Sequence, residues 1–413
     1  MTRPPDWLGV EDALARMLER CDPLPPETVP LTEAGGRALA ADLVARVDHP
    51  PWDNAAMDGF AVRADDVAGA TKDRPVRLPV AADVPAGARP AGPLAPGTAV
   101  RVMTGAPVPE GATGVVRIEH TDGGREGRVA ILDASDAARN IRLRGEDVRA
   151  GTPLLGAGDE VTPAVTGLLA MNGFAEVRVG RRPRIGVLSN GDELADLDGV
   201  EDVLAGRKIM NSNGYALADL VRTAGGEPVP LGIALDTAAS VREKLRLAAD
   251  CDGVISSAGV SVGDRDEVKG ALREAGMETL FWRVRMRPGS PLTFGVLDGH
   301  PVWGLPGNPV SALVTFEVFL RPAIRRMAGH RRLRRRRMPA VVGEPIESSA
   351  GLTHFFRVRL EEREGRPPVA HLTGPQGSGL LTSLVLADAL LVVPEGVERI
   401  EPDDGVSVLP LRP

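Results

Sequence analysis

HPVWGLPGNPVSALVTF, residues 300–316, sets two prolines and two glycines within six residues, between a short apolar run and a longer one. Pro301 to Leu305 suits a buried strand, and the residues from Val310 onward have the length and apolar spacing of a helix. Pro309 fits the first helical position, where a missing N–H costs nothing, and Asn308 fits the cap before it. Such a helix start presents unpaired N–H groups at the positive end of the helix dipole and can hold an anion. It can equally be a capped junction with no ligand, and the turn alone leaves both readings open.

The same strand–turn–helix unit recurs upstream. RIGVLS from Arg184 reads as a strand, GYALADLVRTAGG as a helix starting behind Asn213, EPVPLGIAL as a strand and TAASVREKLRLAAD as a helix. GVISS is a strand, DEVKGALREAG a helix and TLFWRVRM a strand, before PVWGL and its helix close the series. Alternation of this kind predicts an α/β fold with a doubly wound parallel sheet. Ligands in such sheets sit beyond the carboxyl ends of the strands. The segments at those ends are SNGDEL (189–194), LDT (235–237), SAGVSVGDRD (257–266), MRPGSPL (286–292) and LPGNP (305–309), which hold most of the region's Gly, Pro, Ser and acidic residues.

Around this region the composition changes. Residues 7–22 space apolar positions as an amphipathic helix does, and residues of about 50–160 are Gly- and Pro-rich with short Val-rich runs, which predicts a mostly β lobe. TPAVTGLLAMNG reads as a helix capped by Thr162, with Pro163 first and Gly173 just past its end. From about Met338 short β-like runs return and predict a small C-terminal β domain. The expected domains are 1–52 with 148–182 (N-terminal helix and connection), 53–147 (β-rich lobe), 183–330 (doubly wound) and 338–413 (small β).

The bulk properties exclude several classes. A net charge of −7, from 49 Lys+Arg against 56 Asp+Glu, argues against general nucleic-acid binding. The basic run HRRLRRRR (330–337) has no interleaved aromatics and reads as a solvated linker. No apolar stretch approaches membrane-spanning length and no signal-peptide core opens the chain, so a cytoplasmic protein without a membrane partner is expected. Cys21 and Cys251 lie far apart without a ligand motif, and read as buried small hydrophobes.

No Walker, nucleophile-elbow, zinc-helix or dinucleotide fingerprint is present. What remains is a rim of backbone donors and carboxylates. Ser256, Ser257, Gly259, Ser261 and Gly263 lie between a strand and a helix and can turn N–H and hydroxyl groups toward a phosphate. Glu193, Asp236, Asp264 and Asp266 share that rim, and carboxylates beside a phosphate cradle imply Mg²⁺, which takes hard oxygen ligands. Each acid could also be a cap or a solvated loop residue, Asp266 in particular capping the helix after it.

The motifs together resemble the MoeA family, the molybdopterin molybdenumtransferases that also form the E domain of gephyrin. The resemblance rests on DNAAMDGFAV (53–62), RVMTGAPVPEGA (101–112), RLRGEDV (142–148), SNGDEL, NSN (211–213), SAGVSVGD, RPGSP (287–291), GLPGNPVSA (304–312) and QGSG (376–379). It implies a homodimer of four-domain subunits that inserts molybdate into adenylylated molybdopterin with Mg²⁺ and releases AMP, with a molybdopterin adenylyltransferase as a further partner. It also implies catalytic roles for Asp58, Thr104, Asp147, Glu193, Asp236, Asp266 and Arg287, with Glu193, Asp236 and Asp266 as metal ligands. Substrate contacts are implied for Ser189, Gly191, Asn213, Ser256, Ser257, Gly259, Ser261, Gly263, Arg265, Ser290, Pro306, Gly307, Asn308 and Pro309.

Five positions depart from the family pattern. Arg287 and Ser290 stand in a motif that commonly carries two lysines, so one cation is lost at Ser290. Asn211 replaces an Asp, Ala258 a Gly and Arg265 an aromatic residue, and Arg265 could restore the lost cation. These changes leave two rivals to the enzyme: a non-catalytic molybdopterin-binding carrier or scaffold, and a nucleotide pyrophosphatase acting on other substrates.

Overall fold

The computed structural model describes residues 7–258, 267–274 and 276–412, so the expected site residues Gly259, Ser261, Gly263, Asp264, Arg265 and Asp266 lie outside the described residues. Contacts divide the chain into two compact units: Asp42–Gly156 with Leu169–Phe174, and Met1–Ala41, Ala157–Leu168 and Ala175–Pro413. No helix among the described residues is long and apolar enough to cross a membrane.

The first of these units is the β lobe. Its five-stranded sheet runs Gly114–Arg117, Gly59–Val62, Ala99–Val102, Val76–Val84, Arg128–Ile131. Alternate residues of the short Val-rich runs face opposite sides: Phe60, Val62 and Val116 enter one apolar cluster, Ala61, Val100 and Val115 another. A sheet covered on both faces explains why these runs lack polar alternation.

The other unit is built on a six-stranded sheet: β1 Arg184–Asn190, β2 Glu227–Ala234, β3 Gly253–Ser257, β4 Glu278–Phe281, β5 Thr293–Leu297 and β6 His300–Leu305, in the order β2-β1-β3-β6-β5-β4. The four strands from β2 to β6 are parallel. Period-two alternation buries Ile185, Val187, Ile255 and Trp303 under the N-terminal helix Val10–Leu18 and the helices Ser212–Thr223 and Pro309–Thr315. Leu188, Val254 and Val302 meet Val241 and Leu272, from the helices Ala238–Arg246 and Glu267–Glu274, on the other side.

At the far edge the sheet is mixed. β5 runs antiparallel to β6 and β4, through a two-residue turn at Asp298–Gly299 with both φ positive. That is the geometry that Asp-Gly hairpin loops favour. The run TLFWRVRM is not one strand: β4 ends at Phe281, and Met286–Arg287 instead pairs with Thr353–Arg363 of the C-terminal domain. Residues 286–292 therefore do not follow a strand end of the central sheet.

The C-terminal strands Met338–Val342, Thr353–Arg363, Arg366–Leu372, Ala389–Val393 and Gly405–Pro410 close on themselves, because Thr353–Arg363 pairs with both its neighbours in the ring. Closure leaves no free edge. The helix that opens at Pro309 continues through a π turn, Phe316–Leu320, to Arg321–Met327. The N–H of Arg321 reaches back to Phe316 O, which accommodates Pro322, a residue with no N–H of its own to continue the ladder.

Most of the arginine run is exposed, as a solvated linker would be, but part of it is tied down. Arg331 pairs with Asp159, Arg334 with Glu11 at 2.6 Å, and Arg335 with the buried Glu317. The segment is strapped to the long helix, to the N-terminal helix and to the residues before Pro163.

Candidate functional site

The strand order fixes where a ligand crevice forms. From β1 the chain goes to β2 on one side and then returns across to β3 on the other, so the carboxyl ends of β1 and β3 bound the switch point. Asn190, the last residue of β1, is buried, and its amide donates to Ser256 Oγ at 2.7 Å and to Ser257 O at 3.3 Å.

Further loops join the same edge. Ser189 Oγ donates to Asn211 Oδ1 at 2.7 Å, and Asn211 caps the helix Ser212–Thr223 by accepting from Gly214 N at 3.1 Å. The expected start behind Asn213 is therefore displaced, because the cap is Asn211. Asn213 is left to bridge two loops, donating to Ser257 Oγ and Gly307 O, both at 2.9 Å. Asn308 occupies the cap position of its helix, but its side chain does not cap: it donates to Ser378 Oγ at 3.0 Å, while Ser378 O accepts from Val310 N at 3.1 Å. Asp236 N donates to Asp192 Oδ1 at 3.0 Å, and a side chain on Gly191 would collide with the Glu193 carboxylate folded over it.

Two acceptors in this network stand out. Asn190 Oδ1 and Asn213 Oδ1 are enclosed and have no hydrogen-bond partner among the described residues. Their amide nitrogens are committed to protein acceptors, so both oxygens face positions that a donor should fill. Ala258 carries φ +68°, held there by its N–H on Leu305 O at 3.1 Å. A non-glycine residue in that region is strained, and such strain gathers at ligand sites.

Beside this rim is a cleft of ≈ 290 Å³ lined by Arg287, Pro288, Glu347, Ser348, Ser349, His354, Phe355, Phe356, Arg357 and Gln376. Arg357 is 1% exposed; its guanidinium donates to Ser383 Oγ and Gly377 O, both at 3.1 Å, and meets no carboxylate among the described residues. Burial alone pushes its pKa down to about 10. A desolvated cation without a counter-ion is what an anion site looks like before the anion arrives. Arg287 is exposed on the same cleft, with Nη1 3.5 Å from Ser349 Oγ. Gly289 behind it has φ +103°, and a Cβ there would overlap Thr315 Oγ1. Ser290 is turned away, its hydroxyl donating to Val284 O at 2.9 Å.

The β lobe gathers three separated segments of its own. Asn54–Ala55 pairs with Ile141–Arg142, Ala55 exchanges backbone bonds with Gly105 and Ala106, and Asp53 Oδ1 accepts from Arg144 N at 2.7 Å. Asp58 Oδ1 accepts from Thr104 N at 2.7 Å and Thr104 Oγ1 at 2.8 Å, and these two donors hold its carboxyl below the usual range. Asp147 is exposed on the Arg144-bearing loop, its N–H on His49 O.

Comparison with known proteins gives matches along this whole arrangement. The family described as "MoeA N-terminal region (domain I and II)" matches residues 8–173, "Probable molybdopterin binding domain" 186–326, and "MoeA C-terminal region (domain IV)" 339–411. The chain belongs to the MoeA family. It is 44% identical over 395 residues to molybdopterin molybdenumtransferase 2 of Mycobacterium tuberculosis, covering 94% of this chain and 95% of that protein. It is 35% identical to the molybdopterin molybdenumtransferase of Bacillus subtilis, covering 98% and 94%. A crystal structure of the molybdopterin biosynthesis MoeA protein from Pyrococcus horikoshii OT3 superposes with a TM-score of 0.81 at 29% identity, covering 98% of this chain and all of that one.

In this MoeA chain Ser189, Gly191, Asn213, Ser256, Ser257, Pro306, Gly307, Asn308 and Pro309 fall on the switch-point edge, Glu193 and Asp236 on the loops after β1 and β2, and Arg287 on the neighbouring cleft. Asp58 and Thr104 meet in the β lobe. Sequence reasoning missed Asn190, Arg357, His354 and Ser378. Ser378 had a signal in QGSG, whereas Arg357 and Arg359 share one face of one strand, and nothing local separates the buried residue from the exposed one.

Proposed function

We propose that this MoeA-family molybdopterin molybdenumtransferase inserts molybdate into adenylylated molybdopterin, releasing AMP, with the nucleotide-linked pterin in the switch-point crevice and molybdate in the Arg287–Arg357 cleft. One observation carries the reading. Loops from Ser189, Asn213, Ser257 and Gly307 are hydrogen-bonded into a single edge whose floor offers two amide oxygens that lack donors among the described residues, and Arg357 is a buried guanidinium that lacks a carboxylate among them. A pterin supplies N–H donors, and an oxyanion supplies the missing charge.

Ser256, Ser257, the loop through Gly259, Ser261 and Gly263, and the turn Pro306–Pro309 hold phosphate oxygens, while Ser189 and Gly191 shape the floor. The phosphoanhydride to AMP breaks as the metal centre forms, and catalysis lies chiefly in positioning and charge neutralisation. No group of three metal-ligating side chains forms among the described residues, so Mg²⁺ would rest on one or two carboxylates and the substrate's phosphates. Mg²⁺ is usually held by one or two carboxylates with substrate phosphates, and hard carboxylates stand on adjacent loops pinned by the Asp192–Asp236 bond. Glu193 and Asp236, with Asp266, would hold it, and it would neutralise charge on the departing phosphate. Asp58, Thr104 and Asp147 serve the same reaction, in a cytoplasmic homodimer supplied by a molybdopterin adenylyltransferase. The domains proposed for it are 1–52 with 148–182, 53–147, 183–330 and 338–413.

Ser290, whose hydroxyl is spent on Val284 O, favours the alternative of a non-catalytic carrier; the two guanidiniums left in the cleft favour turnover. Incubating the protein with adenylylated molybdopterin, Mg²⁺ and molybdate decides between them. Molybdate-dependent AMP release supports the transferase, tight binding without AMP supports the carrier, and AMP release indifferent to molybdate supports a pyrophosphatase.

A further inference from the structure

We propose that His354 is a positioning residue for the molybdate cleft, fixing Ser349 and through it the Arg287 guanidinium, an inference that rests on reading this cleft as the oxyanion site.

His354 is buried, sits in register with Arg287 on paired strands, and stacks on Phe356 with centroids 5.4 Å apart and planes inclined by 16°. Packing thus sets the direction of its ring. Nε2 lies 3.2 Å from Ser349 N, which donates to it. Nε2 also lies 3.3 Å from Ser349 O, so the ring holds the Ser349 backbone as acceptor in one tautomer and as donor in the other. Burial, with the nearby charge of Arg287, holds the imidazole pKa below its usual range, against the opposing effect of Ser349 O. Ser349 in turn has its hydroxyl 3.5 Å from Arg287 Nη1.

The consequence is a chain of restraint. Arg287 is exposed and long, and a free side chain of that type loses rotamer freedom when it grips a ligand. Ser349 limits that freedom beforehand, and His354 limits Ser349. Without the imidazole the part-buried Ser349 backbone loses its ring partner, and the wall of the cleft moves to replace it. Arg357, anchored separately on Ser383 and Gly377, stays in place.

The test uses the full chain, titrated calorimetrically with sodium molybdate and assayed for molybdate KM and kcat by AMP release. His354→Leu, with His354→Met as a second apolar variant should the first not fold, is expected to weaken molybdate binding about tenfold and raise KM in step, leaving kcat within about threefold. His354→Gln offers an oxygen at similar reach and should restore most of the affinity. Wild-type affinity in the apolar variants overturns the proposal, as does equal loss in the Gln and apolar variants, or a loss confined to kcat. Wild-type molybdate affinity in Arg357→Met instead overturns the oxyanion reading of the cleft itself, whatever His354 does.

Discussion

Replacing Arg357 by methionine tests the site through two quantities that should move in opposite directions. Burial lowers the Arg357 pKa to about 10, and the charged form is therefore disfavoured in the folded state. At ~1.4 kcal/mol per pKa unit, the cost is about 3 kcal/mol. The sign is that of a depressed base: the penalty is fully present below pH 10 and fades only as pH climbs toward the unfolded value. Methionine removes the penalty and also the bonds to Ser383 Oγ and Gly377 O, which at ~1 kcal/mol each offset most of the gain. Stability should therefore change little or rise by about 1 kcal/mol. Molybdate binding should fall steeply. A unit charge about 4 Å from an oxyanion contributes about 4 kcal/mol at an effective dielectric of 20, so a loss of ~10² to 10³ in affinity is expected. Calorimetric titration with molybdate and a urea melt measure the two effects on one sample. A variant that binds molybdate within about threefold of wild type, or that loses about 3 kcal/mol of stability, refutes the assignment of Arg357 as an anion anchor.

Ala258→Gly should stabilise the protein by ~1 kcal/mol in denaturant melts, because glycine accepts φ +68° without the Cβ penalty. Arg335→Ala strips one of two cations from the buried Glu317 and should cost about 3 kcal/mol, whereas Arg334→Ala breaks an exposed pair with Glu11 and should cost under ~1 kcal/mol; equal losses would contradict the distinction between a buried and a surface strap. Thr104→Val removes one of two donors to Asp58, so the acid limb of the activity profile should move to higher pH; an unmoved limb would mean that Asp58 ionisation does not set it.

The local elements were legible because local chemistry makes them. Pro163 at a helix start, Gly173 just past the helix end and Thr162 accepting from Val165 N are present as expected. So are the strands RIGVLS, EPVPLGIAL, GVISS and PVWGL, whose apolar faces are covered by helices, whereas TLFWRVRM is divided. The Asp298–Gly299 dipeptide marks the hairpin that makes the sheet mixed, whereas RPGSP leaves the central sheet edge because Met286–Arg287 pairs with the C-terminal domain.

The sequence by itself determined which segments become strands and helices, which residue types crowd the strand ends, and, through motif order, the family. Strand order was decided only in three dimensions, since a sequence records succession and not which side of β1 the chain returns to. The crevice between Asn190 and Ser257 exists because of that order. Tertiary packing likewise chose Asn211 over Asn213 as the cap, sent the Asn308 amide to Ser378, and buried Arg357 but not Arg359. Each is a competition among partners distant in the chain, and such competitions are settled by where the folded backbone brings them.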